Sequence, residues 1–150
     1  VYDPVQNKWT NAASLSTPRF QSKSVAYDGK IYVVGGSDSS VVFLKNIEIY
    51  NPTLNTWSST TSMSEYRTEA AVLLHEGKIY VLGGNRANPI KTVEVYDCIT
   101  NTWSTIAPMI NARSMFEAAV INDTIYAIGG TSRNIDNSST SKNTVESYTI

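Results

Sequence analysis

Cysteine and histidine each occur once, as Cys98 and His75, so the chain can form no internal disulfide and no thiolate metal cluster. A lone thiol fits a reducing compartment such as the cytoplasm. No apolar run approaches the roughly 18 residues that a membrane span needs. Charge is scarce as well. Only 17% of the residues are charged and the net charge is −1, so no global field recruits nucleic acid or an acidic membrane. No signal-peptide pattern is present, and Val1 stands where an initiator methionine would, which fits a piece of a longer chain. What remains is ordinary: 41% hydrophobic residues across 150 positions, enough for the core of one domain. Asn122-Asp123-Thr124 and Asn137-Ser138-Ser139 match the glycosylation sequon, as an Asn- and Ser-rich chain does by coincidence.

One stretch is written three times: Lys30-Ile31-Tyr32-Val33-Val34-Gly35-Gly36, Lys78-Ile79-Tyr80-Val81-Leu82-Gly83-Gly84 and Thr124-Ile125-Tyr126-Ala127-Ile128-Gly129-Gly130. A short apolar run without polar alternation, closed by paired glycines, predicts a strand covered on both faces. Other markers repeat in the same phase. Gly36, Gly84 and Gly130 are separated by steps of 48 and 46 residues, and so are Trp9, Trp57 and Trp103, and Arg19, Arg67 and Arg113. A period near 50 built from short strands points to propeller blades.

The chain opens in mid-unit, because Val1-Tyr2-Asp3 matches Ile49-Tyr50-Asn51 and Val95-Tyr96-Asp97. Seven residues after each of these tyrosines comes a tryptophan, across turn formers that predict a hairpin. Cys98 takes the place of a turn proline, which makes it a tolerated turn residue rather than a reactive thiol. Leu15, Met63 and Met109 follow their tryptophans by six residues and read as plugs beneath a loop. Next come the arginine, an inner strand (22–27, 70–75, 116–121), a two-residue turn and the Gly-Gly strand. A variable loop then leads to a strand carrying Glu48, Glu94 or Glu146. The last such loop, Thr131 to Asn143, is rich in Ser, Thr and Asn and is expected to be mobile. Each unit is four antiparallel strands, and no helix is predicted.

Gly-Gly closing a strand, tyrosine before Asp or Asn, tryptophan seven residues later and arginine ten after that resemble the kelch repeat over the whole chain. The resemblance implies an all-β fold of kelch-type β-propeller blades, three repeats per chain at about 1–50, 49–96 and 95–150. The family commonly forms six-bladed rings. Many members are interaction domains, notably substrate-recruiting subunits of cullin-type ubiquitin ligases, and others include a sialic-acid mutarotase and the copper-radical galactose oxidase. Three blades are too few for a ring, since propellers run from about four to eight. A blade face of four strands measures roughly 320 Å². Two half-rings pressed together hide four such faces, about 1,300 Å², within the range of specific interfaces. The expectation is a two-fold dimer closing one six-bladed ring, the N-terminal outer strand of one copy completing the last blade of the other. The alternative is half of a longer six-unit chain.

Arg19, Arg67 and Arg113 open the inner strands near the channel mouth. One reading makes them a ring of cations for an acidic peptide or a sugar carboxylate. The other pairs them with Glu48, Glu94 and Glu146, and a charge present in every unit fits the unit better than a single site. Exposed loop positions that differ between copies are better binding candidates. In kelch adaptors, peptide contacts lie just after this arginine, just after Gly-Gly and late in the variable loop. Carried over by resemblance, these are Phe20, Gln21, Thr68, Glu69, Ser114 and Met115, then Ser37, Asp38, Asn85, Arg86, Thr131, Ser132 and Arg133, with Phe43 as an aromatic anchor or a cover for Trp57. The basic contacts that grip acidic peptides are matched at Arg86 and Arg133.

Enzyme readings find less support. The copper oxidase pattern needs two histidines and a tyrosine–cysteine crosslink, whereas His75 is single and reads as a packed or partly exposed structural histidine on an inner strand. A mutarotase-like site needs an acid or base beside sugar-binding cations, a role open to Glu69 or Glu117 with Arg67 or Arg113. No ligand cluster has zinc or calcium spacing, so no metal or cofactor is expected. The leading reading is a protein- or peptide-binding adaptor domain without catalytic residues. The runner-up is a carbohydrate-active or sugar-binding propeller.

Overall fold

A computed structural model describes residues 1–85, 87–133 and 138–150. It is all-β, with no helix among the described residues. β1 (Tyr2–Asp3) and β2 (Lys8–Trp9) form a hairpin. Blade 1 follows as β3 (Lys23–Tyr27), β4 (Lys30–Val34), β5 (Ile47–Asn51) and β6 (Thr56–Ser59). Blade 2 contains β7 (Ala71–His75), β8 (Lys78–Leu82), β9 (Val93–Asp97) and β10 (Thr102–Ile106). In blade 3, β11 (Glu117–Ile121) and β12 (Thr124–Ile128) precede β13 (Thr131–Arg133) and β14 (Ser139–Ser141), and β15 (Val145–Thr149) closes the order. Strands run antiparallel in sequence order, giving two four-stranded sheets and a three-stranded sheet β11-β12-β15. β13 and β14 pair with one another. The flanks of the loop expected to be mobile are therefore a hairpin, held by a ladder through Thr131, Ser132 and Arg133; Asn134 to Asn137 lie outside the described residues.

Local chemistry accounts for these elements. The turns joining the first two strands of each blade hold both central residues at positive φ: Asp28 and Gly29 at 48° and 68°, Glu76 and Gly77 at 45° and 72°, Asn122 and Asp123 at 46° and 58°. That geometry matches the twist of the flanking strands. In the outer hairpins Asp3, Asn51 and Asp97 accept two backbone amides each. The amides of Thr100 and Ile99 hold the Asp97 carboxyl below its ordinary value. Asn7, Asn55 and Asn101, all at positive φ, accept the hydroxyl of the tyrosine that opens the hairpin. That tyrosine stacks on the tryptophan that closes it, with ring centroids 5.2, 5.0 and 5.1 Å apart.

The middle sheet packs its two faces on different neighbours, which is why the β8 sequence lacks polar alternation, and the first and third sheets each pack one face against it. Ile79 and Val81 join Tyr32, Val34, Ile47 and Met63 between blades 1 and 2. Tyr80 and Leu82 join Val93, Val95, Met109, Ile125 and Ala127 between blades 2 and 3. Inner strands β3, β7 and β11 lie side by side around a common axis. The outermost faces are bare. Ile128, equivalent to the buried Val34 and Leu82, is 48% exposed, and Ile31, equivalent to the buried Ile79 and Ile125, is 40% exposed.

The tandem glycines sit where consecutive blades meet. The amides of Gly36 and Gly84 donate to the carbonyls of Arg67 and Arg113 in the following blade, at 2.8 and 2.9 Å. A Cβ on Gly83 would lie 2.6 Å from the Arg113 carbonyl oxygen and 2.8 Å from Met109 Cε, whereas one on Gly29 would meet nothing within 4 Å. Both residues have positive φ. Gly29→Ala is therefore expected to cost about 1 kcal/mol and Gly83→Ala about 3 kcal/mol in urea denaturation. Equal losses would mean that close approach plays no part.

Candidate functional site

Each recurring arginine is tied into its own blade. Arg67, fully buried, donates to the carbonyls of Gly83 and Thr92 at 2.8 and 2.9 Å and to Glu94 Oε1 at 2.9 Å. Arg113 reaches the Gly129 carbonyl at 2.8 Å and Glu146 Oε1 at 2.5 Å. Arg19 donates to the Gly35 carbonyl at 3.0 Å and pairs with Glu48. The carboxylates have further work, because Glu48, Glu94 and Glu146 accept the backbone amides of Ser16, Ser64 and Ile110 from the loop before each arginine. The buried pair thus clamps the incoming loop to the third strand of the blade. It leaves no ring of free cations, and it separates Arg67 and Arg113 from Glu69 and Glu117, the acid–base pairing considered above.

Burial pulls the Glu146 carboxyl up, but the Asn111 side chain, the Arg113 guanidinium and the Ile110 amide together outweigh it and hold the group below its ordinary value. Burial pushes Tyr32 up to about 12 and also raises Tyr80 and Tyr96. Cys98 is half-buried in its turn, and burial raises its thiol, so it stays protonated at neutral pH. His75 ends β7 and places Nε2 2.9 Å from Asp123 Oδ1 in the first turn of blade 3. It is an inter-blade contact, equivalent to that of Tyr27 over Gly77.

Two residues beyond each arginine the backbone turns left-handed, at Gln21, Glu69 and Met115, with φ of 55°, 56° and 52°. These three follow one another around the channel mouth. The Glu69 amide donates to the Gln21 carbonyl at 3.1 Å, and the Met115 amide to the Glu69 carbonyl at 3.0 Å. Gln21 Nε2 donates to Glu69 Oε1 at 2.7 Å. Lys23 and Glu117, 2.6 Å apart, bridge blade 1 to blade 3 below them. Together with Ser22 and Phe116 they line an open concavity. The sequence marks Lys23 only by its place at the start of an inner strand, where it matches Glu117.

The other rim candidates divide by exposure. Phe20 and Met115 are exposed, and Arg133 is exposed with Nη1 3.3 Å from Asn88 Oδ1. Asn85 is partly exposed, with Nδ2 3.4 Å from Glu69 Oε2 and a buried Oδ1 lacking a partner among the described residues. Ser37, Thr68 and Ser114, expected at the surface, are buried, because the residues after each arginine and after each Gly-Gly pair as short bridges: Phe20 with Ser37, Thr68 with Asn85, Ser114 with Thr131. Asp38 caps its own loop by accepting the amides of Ser40 and Val42, both at 2.9 Å. Phe43 is half-buried and bridged to Ser37. Thr131 and Ser132 lie in β13 and are partly exposed. Arg86 lies outside the described residues.

A family model described as the KLHDC2/KLHL20/DRC7 Kelch-repeats domain matches residues 1–130, and the Kelch motif matches residues 112–150. The chain belongs to the kelch-repeat family. Kelch domains are commonly protein-interaction modules and mostly non-enzymatic. Among curated relatives, this kelch chain is 49% identical over 39 residues to "Kelch-like ECH-associated protein 1A" of Danio rerio, a match covering 26% of the chain and 6% of the relative. It is 39% identical over 49 residues to "Spermatocyte protein spe-26" of Caenorhabditis elegans, covering 33% of the chain and 8% of the relative. In three dimensions it resembles the solved "Structure of YjhT" with a TM-score of 0.72 at 19% identity. That likeness covers 90% of this chain and 55% of that one, so the kelch chain spans about half of that structure.

Removing one member of a buried ion pair strands the other charge, at a cost of about 3–5 kcal/mol. Arg67→Met is expected to lose that much in chemical denaturation, and a loss under 1 kcal/mol would show that the clamp contributes little. The pH dependence has two flanks. With tyrosine pKa values raised above 10 by folding, the native chain holds more protons than the unfolded one above that pH, so stability falls as pH rises from about 10 toward 12. The lowered Glu146 contributes stability that is complete above its unfolded value of 4.5 and lost as pH falls through its lower folded value. Melting temperatures across pH 2–11 check both signs.

Proposed function

We propose that this kelch chain binds a protein or peptide partner at the channel mouth, with Gln21, Glu69 and Met115 as the central contacts and Phe20, Asn85 and Arg133 beside them. Ser37, Asp38 and Ser114 support the shape of the same rim from within or below. One observation carries the reading. The same left-handed backbone position holds an amide, a carboxylate and a thioether in successive blades, so a uniform scaffold displays chemically different side chains into one concavity. A rigid rim with variable side chains is what selective recognition of an extended partner requires. The name of the Danio rerio relative, which records association with another protein, is in keeping with it.

A sugar-binding, mutarotase-like role is the second reading. It is favoured by the polar cluster Gln21, Glu69 and Asn85, whose amides and carboxylate are suited to ring hydroxyls. In either case we infer three kelch repeats, about 1–50, 49–96 and 95–150, acting as a half-propeller that two copies close into a six-bladed ring.

Peptides selected by display against the intact chain provide the test. Glu69→Ala with Met115→Ala is expected to weaken their binding at least about tenfold while leaving the melting temperature within about 2 °C. Selected peptides that bind the variant equally well would rule out this rim. Saturable monosaccharide binding, lost in Glu69→Ala, would transfer the site to the second reading.

A further inference from the structure

Blade 1 carries a strained residue on its rim. After Ser37 the chain reverses through a tight loop, in which the Val41 amide donates to the Asp38 carbonyl and the Asp38 amide to the Val42 carbonyl, both at 3.0 Å. A hairpin loop of this kind ends in a left-handed position that normally holds glycine or asparagine. Val41 occupies it, with φ at 60°. A β-branched side chain is a poor fit to that region, and Val41 is the one β-branched residue with positive φ among the described residues. The loop is nevertheless well bonded. The Asp38 carboxylate accepts the amides of Ser40 and Val42, both at 2.9 Å, and pins the strained conformation in place.

The strain displays apolar surface. Val41 is 65% exposed and its neighbour Val42 54%. Phe20 and Phe43 flank Ser37, each bridged to it, and residues directly opposite one another across antiparallel strands share a face. Phe20 is 47% exposed and lies about two strand spacings, roughly 10 Å, from the returning limb of the loop. Single exposed apolar residues are ordinary. Here several meet at one corner of the rim, held by a backbone that asparagine or glycine would adopt more easily, and strain retained in a rigid loop marks a functional constraint.

The patch runs on into the channel mouth. Phe20 precedes Gln21, whose Nε2 donates to Glu69 Oε1 at 2.7 Å. Asn85 Nδ2 lies 3.4 Å from the other carboxylate oxygen. Glu69 is therefore held by neutral amides and joins no ion pair among the described residues. The charged residues lining the concavity are Lys23, Glu69 and Glu117, two carboxylates against one ammonium that Glu117 already engages. Arg19, Arg67 and Arg113 are taken up in their clamps.

We propose that the partner at the mouth is an extended peptide with two anchors. An aliphatic or aromatic side chain rests on Val41, Val42 and Phe20, and a lysine or arginine a few residues along reaches Glu69. This rests on the peptide-binding reading above and names the chemistry of the peptide. The apolar anchor excludes water from one half of the contact, and the carboxylate without a counter-charge fixes the peptide's direction. An acidic peptide would meet Glu69 and Glu117 with like charge.

Peptides selected by display against the intact chain should pair an apolar residue with a basic one, and added salt should weaken them. Val41→Asn suits the left-handed backbone, so it is expected to raise the melting temperature by about 2–4 °C and yet weaken these peptides at least about tenfold. Val42→Ser, beside the strained position, should weaken them in the same direction with the melting temperature unchanged. Replacing the peptide's basic residue by glutamine should weaken binding about tenfold to the unaltered chain and less than about twofold to Glu69→Gln. Peptides lost in Glu69→Ala with Met115→Ala, but bound equally by Val41→Asn and Val42→Ser, would overturn the apolar anchor while the mouth stands as the site. Selected peptides that are acidic, or indifferent to loss of their basic residue, would overturn the charged anchor. Binding unchanged in every variant overturns the peptide-binding reading as well.

Discussion

Each sheet of this protein has two apolar faces, and a sheet with two apolar faces is stable only between neighbours. Ile79 and Val81 on one side of β8, and Tyr80 and Leu82 on the other, belong to two different cores. Hydrophobic burial supplies the driving force but has no direction. Direction comes from the tight junction at the tandem glycines, where the arginine carbonyl of one blade approaches the backbone of the blade before it. The buried Arg–Glu clamp then fixes the loop that carries that carbonyl. Packing, junction and clamp together set the angle between blades, and the inner strands converge on an axis as a consequence.

The candidate binding surface is a by-product of the same geometry. The left-handed residue after each arginine has its backbone bound to the equivalent residue of the neighbouring blade, so its side chain is free to vary without disturbing the fold. Residues that build the blade are repeated, such as Arg19, Arg67 and Arg113. Residues that face the mouth differ, as Gln21, Glu69 and Met115 do. Division of labour between a fixed backbone and variable side chains is how repeat architectures acquire selectivity while stability is shared among the units.

Most of the fold was legible in the sequence, for reasons that lie in particular residues. The unalternated runs ending in Gly-Gly announced strands covered on both faces, and the phase of tryptophan, arginine and glycine announced blades. Less legible was exposure at the rim. Ser37 and Ser114 look like loop residues in sequence, yet the short bridges that follow each Gly-Gly turn them inward. The hairpin of β13 and β14 was hidden in a Ser- and Thr-rich stretch without apolar alternation, because its pairing depends on two flanks apart in sequence coming together.

Spacing and residue type alone determined the repeat, the strand order within each blade and the turn chemistry, since these are local and recur every 46 or 48 residues. Tertiary structure alone decided which charges are spent on the clamp, which side chains reach the channel mouth and which end faces stay bare. Those outcomes depend on how far one blade rotates relative to the next, a quantity set by long-range packing that no single repeat encodes.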